Sequence, residues 1–555
     1  MKSTSLLAVG LALTASSGVS LAAPVGLRAK ADKIVDRSWP ADGPGAAVIV
    51  TEHGKAVYER GRGRADIGAK TPITPATVFR IGSITKQFSS GVLMQLISEG
   101  KLSLDDPLSK FIPDYPQPGG SPTVRQLLNH TSGVQSYTEI PGWMTQANVT
   151  KAYSTAQLVD VFKNLPSPSK PGKAWGYNNS GYILVGAIIE KVTGQPWYEA
   201  VRDRIATPLH LTTLRYGVGE DRVANMAKGY SRGEDGSYKP AEQIHMSVPG
   251  AAGALIGTVG DLAVWANALH HGRILDAASY RAMTTKTKTP DGKEVPYGFG
   301  LQLEELRGHA TIGHGGGIHG FVTSSIYIPE KDVFVAVFAN SAPSATPPEN
   351  VAAKLAMLAI GDPFPDLEKR PVQLKAVEPL LGAYKLANSS DQRIFFSREG
   401  KLFTRDQGAE REVYPAGNNR FFYDGGTSWF EVKQRPSGAE MDIYRQEAGT
   451  PARAVRVGPV PPEPKAADVP RSTLQRYVGS YSVGGQVAVV SLGDDGLSVR
   501  LGQQPSFRLI PHSATEFSVD KVGAGIVFNA PDGATATSMT LNQGGQAIQA
   551  PRKHE

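Results

Sequence analysis

Two stretches in the C-terminal third of this 555-residue chain repeat one another. "LLGAYKL" (Leu380 to Leu386) matches "YVGSYSV" (Tyr477 to Val483), which sets Gly382 and Gly479 97 residues apart (479 − 382). The likeness continues from "IFFSREGKLFTRD" to "AVVSLGDDGLSVRL". It resumes in "RFFYDGGTSWFEVKQRPSGAEMDIY" and "EFSVDKVGAGIVFNAPDGATATSMTL". Each copy is a run of short alternating segments broken by Gly-rich turns, the pattern of antiparallel strands. The Pro-rich "GPVPPEPKAADVP" lies between them as a linker. Two tandem small antiparallel β-barrels, at residues 372–458 and 470–555, satisfy both the repeat and the alternation. One larger β-sandwich is the alternative.

The preceding part has a different texture. "GAAVIVTEHGKAVYERGRGRAD" reads as two strands around a Glu52-His53-Gly54 turn. Helical periodicity runs from about Thr85 to Leu209, interrupted by Pro- and Gly-rich loops. Strand signals return at "YGFGLQLEEL" from Tyr297 and in "FVTSSIYIPEKDVFVAVFAN", with Pro329 to Asp332 as a hairpin turn. The helix "PENVAAKLAMLAIG" ends this unit near Gly361. Strands at both ends with helices between predict an α+β domain over residues 25–361. Its N- and C-terminal strands share one antiparallel sheet, and the helices form a subdomain.

Residues 1–22 have the form of a cleavable signal peptide. Lys2 supplies the positive end, Leu6 to Leu13 the apolar run, and Ser20-Leu21-Ala22 the small-residue cleavage site. A periplasmic or secreted protein is expected, with no stable membrane insertion, since no later segment is apolar for long enough to span a bilayer. The chain has no cysteine. Each domain therefore relies on its own core, and thiol nucleophiles and thiolate metal sites are excluded. The net charge of +7 is spread without a Lys/Arg block, so nucleic acid is not an expected partner.

"RIGSITKQFSSGVLMQLISEG" places Ser83 and Lys86 three residues apart. Phe79 and Ile81 read as buried anchors, and Phe88, Val92, Leu93, Leu96 and Ile97 recur at helical spacing. Ser83 thus falls at a helix N-terminus, with Lys86 one turn on along the same face. As a plain N-cap this is odd, because a Lys in the first turn opposes the helix dipole. As chemistry it is coherent: free N–H groups can hold an oxyanion, and a desolvated Lys can act as base to the Ser. Two further Ser-x-x-Lys matches lack this context. Ser167 to Lys170 contains Pro168, and Ser518 to Lys521 lies in an expected strand, where positions three apart face opposite ways.

Tyr177-Asn178-Asn179 follows a Gly-rich loop and precedes an apolar helix. Tyr177 could relay a proton if a cation lowers its pKa, and Asn179 could bridge Lys86 and a substrate carbonyl. Alternatively Asn179 or Ser180 caps the helix from Tyr182. His314-Gly315-Gly316-Gly317 opens an expected strand, where glycine permits close backbone approach. His130, in "NHTSG", is read as packing or capping a turn. There is no His-Glu-x-x-His helix.

Ser83-x-x-Lys86, Tyr177-x-Asn179 and His314-x-Gly316, in this order, resemble the serine β-lactamase and penicillin-binding-protein superfamily. "TVRQLLNHTSG" (Thr123 to Gly133) and "GALIGTVGDLAVWANAL" (Gly253 to Leu269) resemble its flanking helices. The resemblance covers residues 35 to 345. It implies a sheet-and-helix fold and an acyl-enzyme mechanism that needs no metal or cofactor. Ser83 would be the nucleophile, and Lys86 and Tyr177 would share general-base and general-acid work. Asn179, His314, Gly316 and Gly317 would contact substrate, with the N–H groups of Ser83 and Gly317 as the oxyanion hole. β-Lactamases usually carry Lys-Thr-Gly at the third motif. His-x-Gly is similar instead to D-aminopeptidases, D-stereospecific amidases and related esterases, and D-aminopeptidases also resemble this chain in carrying two lipocalin-like barrels. A histidine near its ordinary pKa of about 6.5 would be mostly neutral at pH 7 and would charge in mild acid. The implied activity is hydrolysis of amide bonds in a small-molecule or short-peptide substrate containing D-amino acids. A carboxylesterase, a β-lactamase or DD-peptidase, and a non-catalytic penicillin- or peptidoglycan-binding module are the alternatives.

Overall fold

The apolar runs "AAVIVTE" and "VFVAVFA" have no polar face, so a strand made from either must be covered on both sides. A computed structural model of the chain shows how. It describes residues 25–553 except 117–121, 234, 388–391, 407–408, 437, 447, 463–466, 484–485, 503–505, 521–523, 532 and 544–545. The expected signal peptide, and Lys521 of the third Ser-x-x-Lys match, lie outside the described residues.

An N-terminal helix α1 (Val25–Ser38) leads into β1 (Ala46–Glu52) and β2 (Lys55–Arg62). After the helical region come β3 (Gln302–Leu306), β4 (His309–Ile318), β5 (Phe321–Ile328) and β6 (Val333–Ala339), then a helix, Pro348–Ala359. The six strands form one sheet in the order β3-β4-β5-β6-β1-β2. Every neighbouring pair is antiparallel, and β6 beside β1 joins the two ends of the domain, Val337 facing Val48. Alternation then sorts the side chains. Val48, Val50, Val335 and Val337 face α1 and helix Pro348–Ala359. Ala47, Ile49, Ala336 and Phe338 face the helical subdomain.

Two helices of that subdomain carry the site, α2 (Thr85–Ser98) and α3 (Asn179–Thr193). α2 reads as amphipathic in sequence but is buried nearly all round: Lys86, Gln87, Ser89 and Ser90 are covered along with Phe88 and Val92. Several of its polar atoms are matched internally. Trp265 Nε1 donates to Gln87 Oε1 (3.1 Å), and Ser89 Oγ donates to the Ala251 carbonyl (2.8 Å). The strand expected from Tyr297 begins only at Gln302, because Gly300, at φ +70, turns the chain against the Lys86 carbonyl. An ideal Cβ there would lie 2.7 Å from that oxygen, so only glycine fits without strain.

The C-terminal third is two eight-stranded β units. Strands from Gly382–Leu386 to Ala452–Gly458 close into a barrel, the first pairing with the last (Leu386 opposite Ala454). Strands from Gly479–Val483 to Gln546–Pro551 form a second eight-stranded sheet, whose ends meet through a bridge between Tyr481 and Arg552. The repeat seen in sequence is physical. Tyr384 donates its hydroxyl to the Leu380 carbonyl, and Tyr481, 97 residues on (481 − 384), donates to the Tyr477 carbonyl. A single larger sandwich is not formed.

Candidate active site

Ser83 lies in a single 3-10 turn, Gly82–Ile84, that feeds α2. The turn is pinned on two sides. The Ile81 N–H donates to the Leu255 carbonyl (3.1 Å), and Thr323 Oγ1, on β5, donates to the Ile81 carbonyl (3.0 Å). Gly82 takes φ +53, and a Cβ there would lie 3.0 Å from the Gly317 nitrogen. The serine is not a helix cap: neither helical segment has a side-chain capping bond. Its hydroxyl instead faces Lys86 and Tyr177.

Lys86 is fully buried, and among the described residues no carboxylate is bonded to it. Nζ has three neighbours: Asn179 Oδ1 at 2.9 Å, the Ala252 carbonyl at 2.9 Å and Ser83 Oγ at 3.0 Å. Burial pulls its pKa well below the ordinary lysine value. A neutral amine has two N–H donors and one lone pair. Two carbonyl oxygens match the donors, which leaves the lone pair for the serine hydroxyl. The Tyr177 ring covers this amine at 4.8 Å. A proton relay through an ionised Tyr177 would need a cation to lower its pKa. Burial raises it instead, with the bond to Ser83 opposing only in part. The phenol therefore stays protonated and serves as a donor.

Asn179 is the first residue of α3, and its neighbour Asn178 caps that helix, Oδ1 accepting from the Gly181 N–H (2.9 Å). The expected cap at Asn179 or Ser180 is thereby corrected. Because Asn178 does the capping, the Asn179 amide is free to accept from Lys86 and to donate one N–H to Thr138 Oγ1 (3.2 Å). His130 packs, as expected, its ring 4.5 Å from Tyr177 and 4.6 Å from Tyr297, with Nδ1 accepting from the Asn178 N–H.

His314 departs from its expected role. It is buried on β4, with Nδ1 2.5 Å from the Gly315 carbonyl and Nε2 2.9 Å from the Tyr297 hydroxyl. The carbonyl can only accept, so Nδ1 carries the proton and Tyr297 donates to Nε2. Both nitrogens are then engaged inside the protein, with none turned to substrate. Burial, with Lys86 nearby, pulls the His314 pKa down to about 3, so the expected charging near 6.5 does not occur. Gly316 makes its close approach to the Ser83 turn. An ideal Cβ at Gly316 would lie 2.1 Å from the Ile81 carbonyl and 2.4 Å from Thr323 Oγ1, whereas one at Gly317 would meet nothing within 4 Å. The Gly315 N–H turns to the β3 side, donating to Gln302 Oε1 (3.2 Å). By strand alternation the Gly317 N–H turns the same way.

Residues 31–358 match the Beta-lactamase family over more than half of the chain. This chain belongs to that family. The D-aminopeptidase of Brucella canis is 28% identical over 348 residues, 62% of this chain and 64% of that one. The match thus spans less than two thirds of the length of these curated relatives. Among solved structures, the octameric penicillin-binding protein homologue from Pyrococcus abyssi has a TM-score of 0.56 at 26% identity, covering 77% of this chain and 99% of its own. The D-stereospecific amidohydrolase from a Streptomyces species has a TM-score of 0.51 at 29% identity, covering 59% of this chain and 98% of its own.

Within this β-lactamase family framework, several site residues carry no motif of their own. Tyr297 and the Ala252 carbonyl are read only from geometry, and Glu139 only from its place beside Thr138. Glu139 follows Thr138, the partner of Asn179, in the turn Tyr137–Glu139. Its carboxyl is pushed up to about 7 by burial, against the nearby positive charge of Lys553. Lys553 follows the last strand of the second eight-stranded unit and is tied to it by a backbone bond to Ser480 (2.8 Å). Among the described residues, no cluster of three or more His, Asp or Glu could hold a metal.

The contact between Gly316 and Ile81 makes a prediction. Gly316→Ala forces β4 off the Ser83 turn, at a cost of about 1–3 kcal/mol for overpacking. Thermal unfolding should show a drop of a few degrees, and turnover should fall more than stability alone explains. The same change at Gly317 should leave the melting temperature nearly unmoved.

Proposed function

We propose that this chain is a serine hydrolase that cleaves amide bonds of small substrates bearing a free amino end, D-amino acid amides or short D-peptides, through an acyl-Ser83 intermediate. The observation that carries this reading is the buried Lys86 amine, with two carbonyls on its N–H groups and Ser83 at its lone pair. In the reaction, Ser83 Oγ attacks the substrate carbonyl while its proton passes to Lys86 Nζ. The N–H groups of Ser83 and Gly317 hold the oxyanion, an arrangement typically worth about 10²–10³ in rate per donor. Tyr177, a protonated phenol, gives its proton to the leaving nitrogen and is reprotonated from Lys86. Water then releases the acyl group by the reverse path. The similarity to D-aminopeptidase and to a D-stereospecific amidohydrolase supports the substrate class. A neutral, fully engaged His314 offers no cation for a substrate carboxylate, which argues against β-lactam or C-terminal D-peptide substrates. The leader-like residues 1–22 support an exported setting. The deciding measurement compares D-alanine p-nitroanilide, its N-acetyl derivative, p-nitrophenyl esters and penicillins, with mass detection of the acyl-enzyme. Preference for the N-acetyl compound or for penicillins would reject the reading.

Glu139 is the group we assign to the substrate ammonium. Its raised pKa means that it is neutral below about 7 and anionic above. KM for D-alanine p-nitroanilide should therefore rise as pH falls through about 7, while KM for the N-acetyl derivative stays flat. Glu139→Gln should erase that difference and lower kcat/KM on the free amine by about 10- to 100-fold, the value of a hydrogen-bonded charge pair. An unchanged pH profile in this variant would remove Glu139 from the site.

A further inference from the structure

On the face of the six-stranded sheet away from Ser83, α1, helix Pro348–Ala359, the segment 363–367 and the loop 422–429 of the first barrel enclose a cleft of 840 Å³. That volume suits a drug-sized ligand. Trp39, Leu358, Phe364 and Trp429 supply apolar walls. Trp429 is held firm by stacking on Tyr444, with ring centroids 3.9 Å apart. Among these walls sits Lys354, half-buried, on a helix otherwise rich in Ala, Leu, Met and Val. Lys354 has no hydrogen bond or ion pair among the described residues; burial holds its pKa down, with Asp424 raising it and Arg37 lowering it. The carboxylates around it are engaged elsewhere. Asp366 bridges Lys33 and Arg37, Asp36 holds Arg60 (2.7 Å) and Arg62 (3.1 Å), and Asp424 holds Lys369 (2.8 Å). A cation partly withdrawn from water without a counter-ion is unfavourable unless an anion joins it.

We propose that this cleft binds a small organic monoanion with an apolar body, a carboxylate whose head pairs with Lys354 and whose chain lies along Trp39, Phe364 and Trp429. Such a ligand would touch both the catalytic unit and the first barrel, on a face of the sheet that the reaction does not use.

The test is calorimetric titration of the full chain with decanoate, decanol and acetate, alongside tryptophan fluorescence from Trp39 and Trp429. Decanoate should bind one per chain. Decanol should bind about 10-fold or more weaker, for want of the charge pair, and acetate weaker still, for want of apolar contact. Lys354→Met should lose about 10-fold or more for decanoate while decanol is unaffected, and Lys354→Arg should retain decanoate binding. Trp429→Ala, on the barrel side, should weaken decanoate and decanol together, which keeps the test open should Lys354→Met fail to fold. The proposal is overturned by absent saturable decanoate binding, by equal affinity for decanoate and decanol or acetate, or by decanoate binding indifferent to Lys354→Met.

Discussion

Ser83→Ala will give a folded protein that neither turns over D-alanine p-nitroanilide nor takes up a fluorophosphonate. The expected loss is on the order of 10⁴–10⁶-fold, the range for removing a nucleophile from a serine hydrolase. Stability should hardly change. The side chain caps no helix, and what is lost is one hydroxyl between Lys86 and Tyr177, about 1 kcal/mol. Intact protein mass spectrometry after labelling gives a yes-or-no answer, and retained labelling would move the nucleophile elsewhere.

Lys86→Ala should lower kcat by about 10²–10⁴-fold, the usual worth of a positioned general base. Tyr177→Phe should cost a comparable amount. Because the two act on one proton, the double variant should be little worse than the poorer single one; strictly multiplicative losses would separate them. The same residues fix the pH profile. Lys86 has a depressed pKa, so the reactive amine is lost as pH falls through that depressed value, and kcat/KM declines with it. His314 stays neutral down to about 3 and contributes nothing to that limb. On a substrate without an amino group, which does not report on Glu139, the acid limb should lie at the same pH in His314→Asn as in the wild type. A displaced limb would show that His314 titrates.

The sequence disclosed the order of chemistry along the chain better than the electrostatics of its assembly. Ser83 and Lys86 are legible because helical spacing and an out-of-place lysine are local facts. The two β units are legible because the repeat writes the same Tyr and Gly into each copy. What was misread depends on burial, which three-residue patterns do not report. The condition set for Tyr177, a pKa lowered by a cation, is not met, because the burial that depresses the Lys86 pKa also keeps the phenol protonated. His314 looked like a switch near neutral pH, and its two hydrogen bonds come from Tyr297 and its own neighbour, neither belonging to the motif. Glu139 was invisible because a single glutamate in a loop has no pattern, and part of its surroundings lies more than 400 positions away, at Lys553. Gly316 stands at a close approach, with the Ser83 turn as its partner.

The two carbonyl oxygens at Lys86 have a consequence for how the reaction meets its charges. Burial pushes the Lys86 amine toward its neutral form, and two dipoles are already turned toward it. Acylation creates an ammonium there, and its solvation shell is in place beforehand, fixed by the cap at Asn178 and by the short helix Gly250–Gly253. Water would have to reorient around such a newborn cation; here the backbone has been oriented since folding. Turnover should accordingly be insensitive to ionic strength, since no exposed charge takes part in forming or collapsing the ion pair.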